Sequence, residues 1–292
     1  MSKCTSKNEC IKAAIVLAGS VRATDLRKKT TKNFLDLPVS EDETIITRFV
    51  LMLSNAFDSL GQPDAILRFI LDRGSPRIKS DLTSVANFAI QFDFDPNEFR
   101  GTGGILRDIS EEYDDEDLLL IMNASQIMVG SVKDLISEMI VANSDVVIAS
   151  QKDDTPLDVI LIRAKVLKDI NKVGFVDFKE QALPKIVLKR DVKVHRSDCL
   201  RTYPVRTLNN YIDAIKLLNG HIVTGTKLND EDWMPLFSII ESGANVHSTA
   251  QIHDSVILRG ANVSEHAVIV RSLITSTGIV KPKQSVVDTI IV

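Results

Sequence analysis

The C-terminal stretch of this chain constrains its fold more than any other. From residue 244 the sequence reads ANVHST, AQIHDS, VILRG, ANVSEH, AVIVRS, LITSTG, a step of six residues broken once by a step of five. The hexads carry aliphatic residues near their centres: Val246, Ile252, Val263 and Ile269. One inward aliphatic side chain at that interval marks a parallel β-helix. A set of antiparallel hairpins shares the in–out alternation but not the repeated Ala-x-Ile/Val phase, so the β-helix is preferred. Three hexads make one coil, and residues 244–292 predict fewer than three coils.

Upstream the pattern alternates between strand and helix. Residues 13–17, AAIVL, form a short apolar run of the kind buried on both faces. Residues 65–71, 117–122, 145–149 and 159–162 are further strand candidates. Residues 44–59, 103–113 and 131–143 read as helices; in the first, Ile45, Phe49, Met52, Leu53 and Phe57 fall close to helical spacing. Strands and helices in turn predict an α/β fold, a Rossmann-like mostly parallel sheet with helices on both faces. The predicted organisation is an α/β domain at 1–219, a connection at 220–243 carrying Trp233, Pro235 and Phe237, and the β-helix at 244–292. Ligands of such sheets bind outside the carboxyl ends of the strands. That points to the turn after Leu17 and the residues just after Met122.

Composition excludes several classes. Of 292 residues 44% are hydrophobic and 25% charged, enough for a real core. A net charge of −4 does not favour a nucleic-acid partner. No apolar run reaches the length of a membrane span, and the polar N-terminus MSKCTSKNEC lacks the apolar centre of a secretion signal. Cys4, Cys10 and Cys199 are scattered, without disulfide or zinc spacing. These features predict a cytoplasmic protein. His195, His221, His247, His253 and His266 do not cluster at metal-ligand spacing.

After Leu17 the chain turns at Ala18-Gly19-Ser20 and then carries Arg22, Arg27, Lys28, Lys29 and Lys32. Small residues after a buried strand, followed by cations, can present backbone N–H groups and positive charge to a polyphosphate. Strand, LAG turn, basic segment and the LPV at 37–39 together resemble the start of the sugar-1-phosphate nucleotidyltransferases, the nucleotide-sugar pyrophosphorylases. Three other stretches follow in that family's order. EFRGTGGILRD at 98–108 is similar to its second signature, in which Gly-Thr-Ala-Gly opens a helix beside the nucleotide. LLLIMNAS at 118–125 is similar to its central strand, which ends in Asn-Gly-Asp. RTLNNY at 206–211 stands where Gly-Thr-Pro-Glu-Asp-Tyr does. GFVDFKEQALPKI at 174–186 resembles the segment that closes over the sugar phosphate, and a short left-handed β-helix often follows the catalytic domain in this family.

The resemblance implies a reaction in which a sugar 1-phosphate attacks the α-phosphorus of a nucleoside triphosphate and pyrophosphate leaves. Such catalysis is mostly alignment and positive charge, with magnesium neutralising oxygens of both reactants. It assigns Leu17, Ala18, Gly19, Gly101, Thr102, Gly103 and Asn123 to nucleotide binding. Lys179 and Glu180 go to the sugar phosphate, and Arg22 is the nearest counterpart of the loop's arginine. From the residues alone, the alternative for Lys179 is a surface lysine at a helix start, paired with Asp177 or Glu180. The implied partner is a nucleotide or nucleotide sugar, and the implied assembly a homo-oligomer or one subunit of a hetero-oligomer. The departures fall on the chemistry. Among the loop glycines only Gly19 remains, with Val21, Arg22, Ala23 and the acidic Asp25 following it. Ser125 and Pro204 stand where the family has its two metal aspartates, so no residue is assigned to a metal. Two readings follow: a nucleotide-sugar-binding protein without ordinary magnesium-dependent transfer, or a divergent active transferase that uses magnesium.

Overall fold

The computed structural model describes residues 10–19, 24–30, 32–83, 85–86, 88–94, 100–219 and 237–292. The chain opens with β1 (Ile11–Leu17), α1 (Asp25–Lys29), α2 (Ile45–Leu60), β2 (Ile66–Leu71), β3 (Ile90–Phe94) and α3 (Gly101–Ser110). It continues through β4 (Leu118–Asn123), β5 (Gln126–Gly130), α4 (Val132–Val141), β6 (Val146–Ser150), β7 (Pro156–Arg163) and α5 (Ala164–Lys168). A π-helical turn at Phe178–Ala182 leads into α6 (Leu183–Val187), β8 (Val192–Arg196), β9 (Leu200–Pro204) and α7 (Leu208–Leu218).

Seven strands form one sheet in the order β3-β2-β1-β4-β7-β6-β8. Every neighbouring pair is parallel except those of β7, which runs against both β4 and β6. The exception is local in origin. Only residues 151–155 separate β6 from β7, and Gln151 N–H donates to Thr155 O at 2.8 Å, so a tight hairpin reverses the chain. Helix α2 shows how the sequence encodes the packing. Thr44 caps it in a reciprocal capping box with Thr47, and Gly61 ends it at φ 64°. Between them Ile45, Ile46, Phe49, Val50, Leu53 and Phe57 are buried along one face. Each such side chain contributes about 1.5–3 kcal/mol over exposure. Two apolar clusters line the two faces of the sheet, with Ala14, Val16, Leu120 and Met122 on one and Ala13, Ile15, Leu119 and Ile121 on the other.

The C-terminal region is the expected short left-handed parallel β-helix. Its first face stacks β10 (Ser238–Ile240), β13 (Ser255–Ile257), β16 (Leu273–Ile274) and β19 (Ile290–Ile291). The second stacks β11 (Asn245–Val246), β14 (Asn262–Val263) and β17 (Ile279–Val280); the third, β12 (Gln251–His253), β15 (Val268–Val270) and β18 (Ser285–Val287). Successive partners, such as Ile239, Val256 and Leu273, define a 17-residue coil. The five-residue VILRG supplies the short side. The expectation of fewer than three coils is corrected: the shorter period and a first strand at Ser238 leave four strands stacked on one face. Ile257, Val263, Ile269, Ile274, Val280 and Val286 fill the coil interior. Ile239, Val256, Leu258 and Leu273 instead face outward into the core of the α/β domain, an extension of that core that fixes the coil against it. Lys32 Nζ to Glu241 Oε1 (2.5 Å) and Lys216 Nζ to Asp254 Oδ2 (2.8 Å) add polar ties across the junction. Trp233 and Pro235 of the connecting segment lie outside the described residues; Phe237 is buried.

Candidate functional site

A cavity of about 470 Å³ opens at the carboxyl ends of β1 and β4, where Leu17 and Asn123 are register partners. Seven parts of the chain wall it: the end of β1 with Gly19, helix α1 with its cap Thr24, the start of α3, the end of β4 with Ser125, β7 with Asp158 and Ile160, the 177–180 turn, and Arg206 after β9.

Helix α1 brings in the deepest cation. Thr24 caps the helix through the Arg27 N–H, which sets its phase: Leu26 is buried and Arg27 turns to the cavity. The Arg27 guanidinium lies 4.3 Å from the Phe34 ring centroid. Its Nη1 donates to Ala18 O at 2.6 Å and its Nη2 to Ser125 Oγ at 3.1 Å. Burial lowers the pKa of Arg27 from the ordinary arginine value, and the nearby carboxylate of Asp72 acts in the opposite sense. Asp72 also explains Gly19. A Cβ on residue 19 would lie 2.6 Å from Asp72 Oδ1, so a side chain there would displace that carboxylate.

Strand β7 supplies a carboxylate by breaking its own regularity. Its pairing with β6 shifts register between Ile148 and Ser150, and Asp158 sits at φ 53°. A bulge of this kind re-aims a side chain, and Asp158 lines the cavity between Asn123 Nδ2 (3.5 Å) and the Lys179 ammonium, with which it forms an ion pair. Lys179 comes from the π-helical turn. Asp177 caps that turn, its Oδ1 accepting the N–H groups of Lys179 and Glu180, both at 2.9 Å. Thr102 locks the turn to α3, accepting the Phe178 N–H at 3.0 Å and donating to Asp177 Oδ2 at 3.4 Å. Arg206, exposed just after β9, also lines the cavity and forms no ion pair among the described residues.

The cavity's oxygen donors are largely engaged with neighbouring groups. Ser125 Oγ accepts from Arg27, Pro204 carries no side-chain oxygen, and Asp158 is paired with Lys179. Among the described residues no group of three or more His, Cys, Asp or Glu side chains is placed to hold a metal ion. Magnesium asks for oxygen ligands, usually one or two carboxylates beside substrate phosphates. The cavity lining holds Asp158, Asp177 and Glu180 together with the cations of Arg27, Lys179 and Arg206.

Comparison with solved structures bears on this geometry. HddC from Yersinia pseudotuberculosis superposes with a TM-score of 0.52 at 14% identity, over 71% of this chain and 100% of its own. The same protein complexed with GMP-PN gives 0.51 at 13% identity, over 71% and 100%. A protein assigned as a glucose-1-phosphate thymidylyltransferase from Bacillus anthracis, crystallised with a sucrose, gives 0.54 at 13% identity, over 74% and 98%. The chain has the sugar-1-phosphate nucleotidyltransferase fold. Residues 212–288 of this nucleotidyltransferase-like chain also match the family described as GlmU-like, C-terminal hexapeptide. No curated protein sequence matches it.

Within that fold, Leu17, Gly19, Thr102, Asn123, Ser125, Lys179 and Glu180 all line the one cavity. Ala18 is buried behind it, contributing its carbonyl to Arg27. Gly101 and Gly103 pack instead against residue 176: Gly103 N–H donates to Val176 O at 2.8 Å, and a Cβ on Gly101 (φ 68°) would lie 2.5 Å from the same oxygen. Arg22 lies outside the described residues. Lys179 reaches neither Asp177 nor Glu180 with its ammonium; its partner is Asp158, 21 residues away. Arg27, Asp158 and Arg206 are cavity residues that motif matching passed over. For Arg27 the available signal was Thr24-Asp25-Leu26, a helix start that fixes which of the neighbouring basic residues turns inward.

Proposed function

We infer that the chain binds a nucleotide or nucleotide sugar in this cavity, with the anionic phosphates balanced by Arg27 and Arg206 rather than by a magnesium ion. The observation that carries the reading is the Arg27 guanidinium held between Ala18 O and Ser125 Oγ. Two of its five N–H donors are engaged there, which leaves others for phosphate oxygens. The similarity in fold to a protein solved with GMP-PN supports a nucleotide as the ligand class. No helix of the described residues is long and apolar enough to cross a membrane. A cytoplasmic setting and an oligomeric assembly through the β-helix belong to the same reading.

A second reading has its own observation. Asp158 holds an αL backbone and an ion pair that a sugar phosphate would compete for at Lys179. A phosphate that takes Lys179 frees the Asp158 carboxylate, and the chain then works as a transferase. Calorimetry with UDP-, GDP-, ADP- and dTDP-glucose, with and without EDTA, separates the two when combined with a pyrophosphate-release assay using the matching triphosphates, sugar 1-phosphates and magnesium. Binding that survives EDTA, with no pyrophosphate released, is the expected result. Pyrophosphate release that disappears in Asp158→Asn establishes the second reading and removes the first.

A further inference from the structure

A second cavity of about 480 Å³ lies on the other side of the π-helical turn, between the end of α5 and helix α6. It is independent of the ligand assigned to the first. Ile170, Val176, Ala182 and Ile186 form a buried apolar floor that belongs to the core on that face of the sheet. Phe175, 46% exposed, stands at its edge. Lys185 and Lys189, one helical turn apart on and just beyond α6, also line it. Neither side-chain ammonium forms an ion pair or hydrogen bond among the described residues. The acidic lining residues do not cancel them: Asp169 is bound to Arg190 through Nε (2.7 Å) and Nη2 (2.6 Å), which leaves Glu180 against two lysines.

We propose that this second cavity is a binding site for a small organic phosphate that carries a flat ring. The ring lies on the apolar floor beside Phe175, and the phosphate meets Lys185 and Lys189. The size suits such a ligand, since small-molecule sites run from about 300 to 1,000 Å³ and combine apolar walls with a few placed polar groups. Its position gives it a consequence for the first cavity. Glu180 lines both, and one turn separates them, clamped by Asp177 and Thr102 and carrying Lys179 to Asp158. Single π-helical turns of this kind concentrate at functional sites.

The test uses the full chain with isoleucine methyl groups labelled for NMR, because two isoleucines mark each cavity: Ile170 and Ile186 the second, Ile121 and Ile160 the first. The probe is 1-naphthyl phosphate, a flat ring with one phosphate and no ribose. The expected result is a saturable shift of the Ile170 and Ile186 methyls, retained in Arg27→Ala. In Lys185→Glu/Lys189→Glu the affinity falls about tenfold or more, while the unliganded methyl spectrum stays dispersed, showing that the variant folds. Shifts confined to Ile121 and Ile160, an affinity unchanged in the double variant, or no shift at all would overturn the proposal.

Discussion

Arg27 and Ser125 lie 98 residues apart in the chain, yet the guanidinium of one donates to the hydroxyl of the other at 3.1 Å. The bond joins the first helix to the end of the central strand β4 and holds a cation at the wall of the cavity there. The seating is costly for a charge, since burial lowers the pKa of Arg27, and a cation held this way gains most by meeting an anion.

Replacing Arg27 tests that role directly. Arg27→Ala removes a charge-assisted fork, and hydrogen bonds to charged groups are worth about 1.5–3 kcal/mol, so nucleotide-sugar affinity falls about 10- to 100-fold. Arg27→Lys keeps the charge but not the planar fork, and recovers only part of the loss. Calorimetry on both variants measures the difference, and their thermal midpoints show how much of it comes from the lost Ala18 contact. Equal affinity in all three proteins would remove Arg27 from the site.

Asp158 makes a prediction about backbone as well as charge. At φ 53° it occupies a conformation that asparagine and aspartate tolerate and β-branched residues do not. Asp158→Asn therefore unfolds in urea close to the parent, while Asp158→Val loses about 1–3 kcal/mol. The same Asp158→Asn frees Lys179, and inorganic pyrophosphate then binds more tightly than to the parent, as calorimetry would show.

These two residues also mark how far the sequence can be read. The hexads announced a β-helix because one inward aliphatic per step is a strong periodic signal, and the alternating strands and helices announced the sheet. The 17-residue coil was less visible, since the missing residue is local to VILRG and reads as an interruption. Asp158 was hidden for a different reason. Its bulge arises from pairing with β6 across a hairpin, and nothing within PLDVILIR shows which residue the partner strand will displace. Arg27 is one of several basic residues in a row, and only the helix phase separates it from its neighbours. The Lys179 pair with Asp158 depends on the fold bringing β7 beside the 177–180 turn. Side chains whose roles come from tertiary contact were the ones left unread.

Acid lability has a definable source on the far side of the sheet. Glu138 accepts from the Ser197 hydroxyl at 2.6 Å and contacts His195 Nε2 at 2.9 Å, and these bonds, Ser197 first, hold its carboxyl below the ordinary value. A depressed folded-state pKa contributes stability that is fully present above the unfolded carboxylate value and disappears as pH falls through the folded one. Glu138→Gln thus flattens the fall in unfolding free energy across the acid range, below about pH 4–5. Urea titrations at stepped pH provide the check; an unaltered acid slope in the variant would assign the lability elsewhere.

Neighbouring residues of the β-helix are expected to differ sharply in what they contribute. Ser272 is fully buried, and its hydroxyl accepts the Thr289 N–H at 3.2 Å while donating to Val270 O at 2.7 Å. One coil earlier Ser255 repeats the arrangement, accepting the Ser272 N–H at 3.0 Å and donating to His253 O at 2.6 Å. The ladder satisfies backbone groups at a corner where the strands end. Ser272→Ala leaves the part-buried Thr289 N–H without that partner, at a cost of about 1 kcal/mol. Arg271, the adjacent residue, pairs with Asp288 at 2.5 Å, but both side chains are largely exposed, and such pairs contribute about 0–1 kcal/mol. Hydrogen exchange at the amides of β16 and β19 should therefore accelerate markedly in Ser272→Ala and little in Arg271→Ala. The reverse order would mean that the surface pair, not the buried hydroxyl ladder, holds the last coil closed.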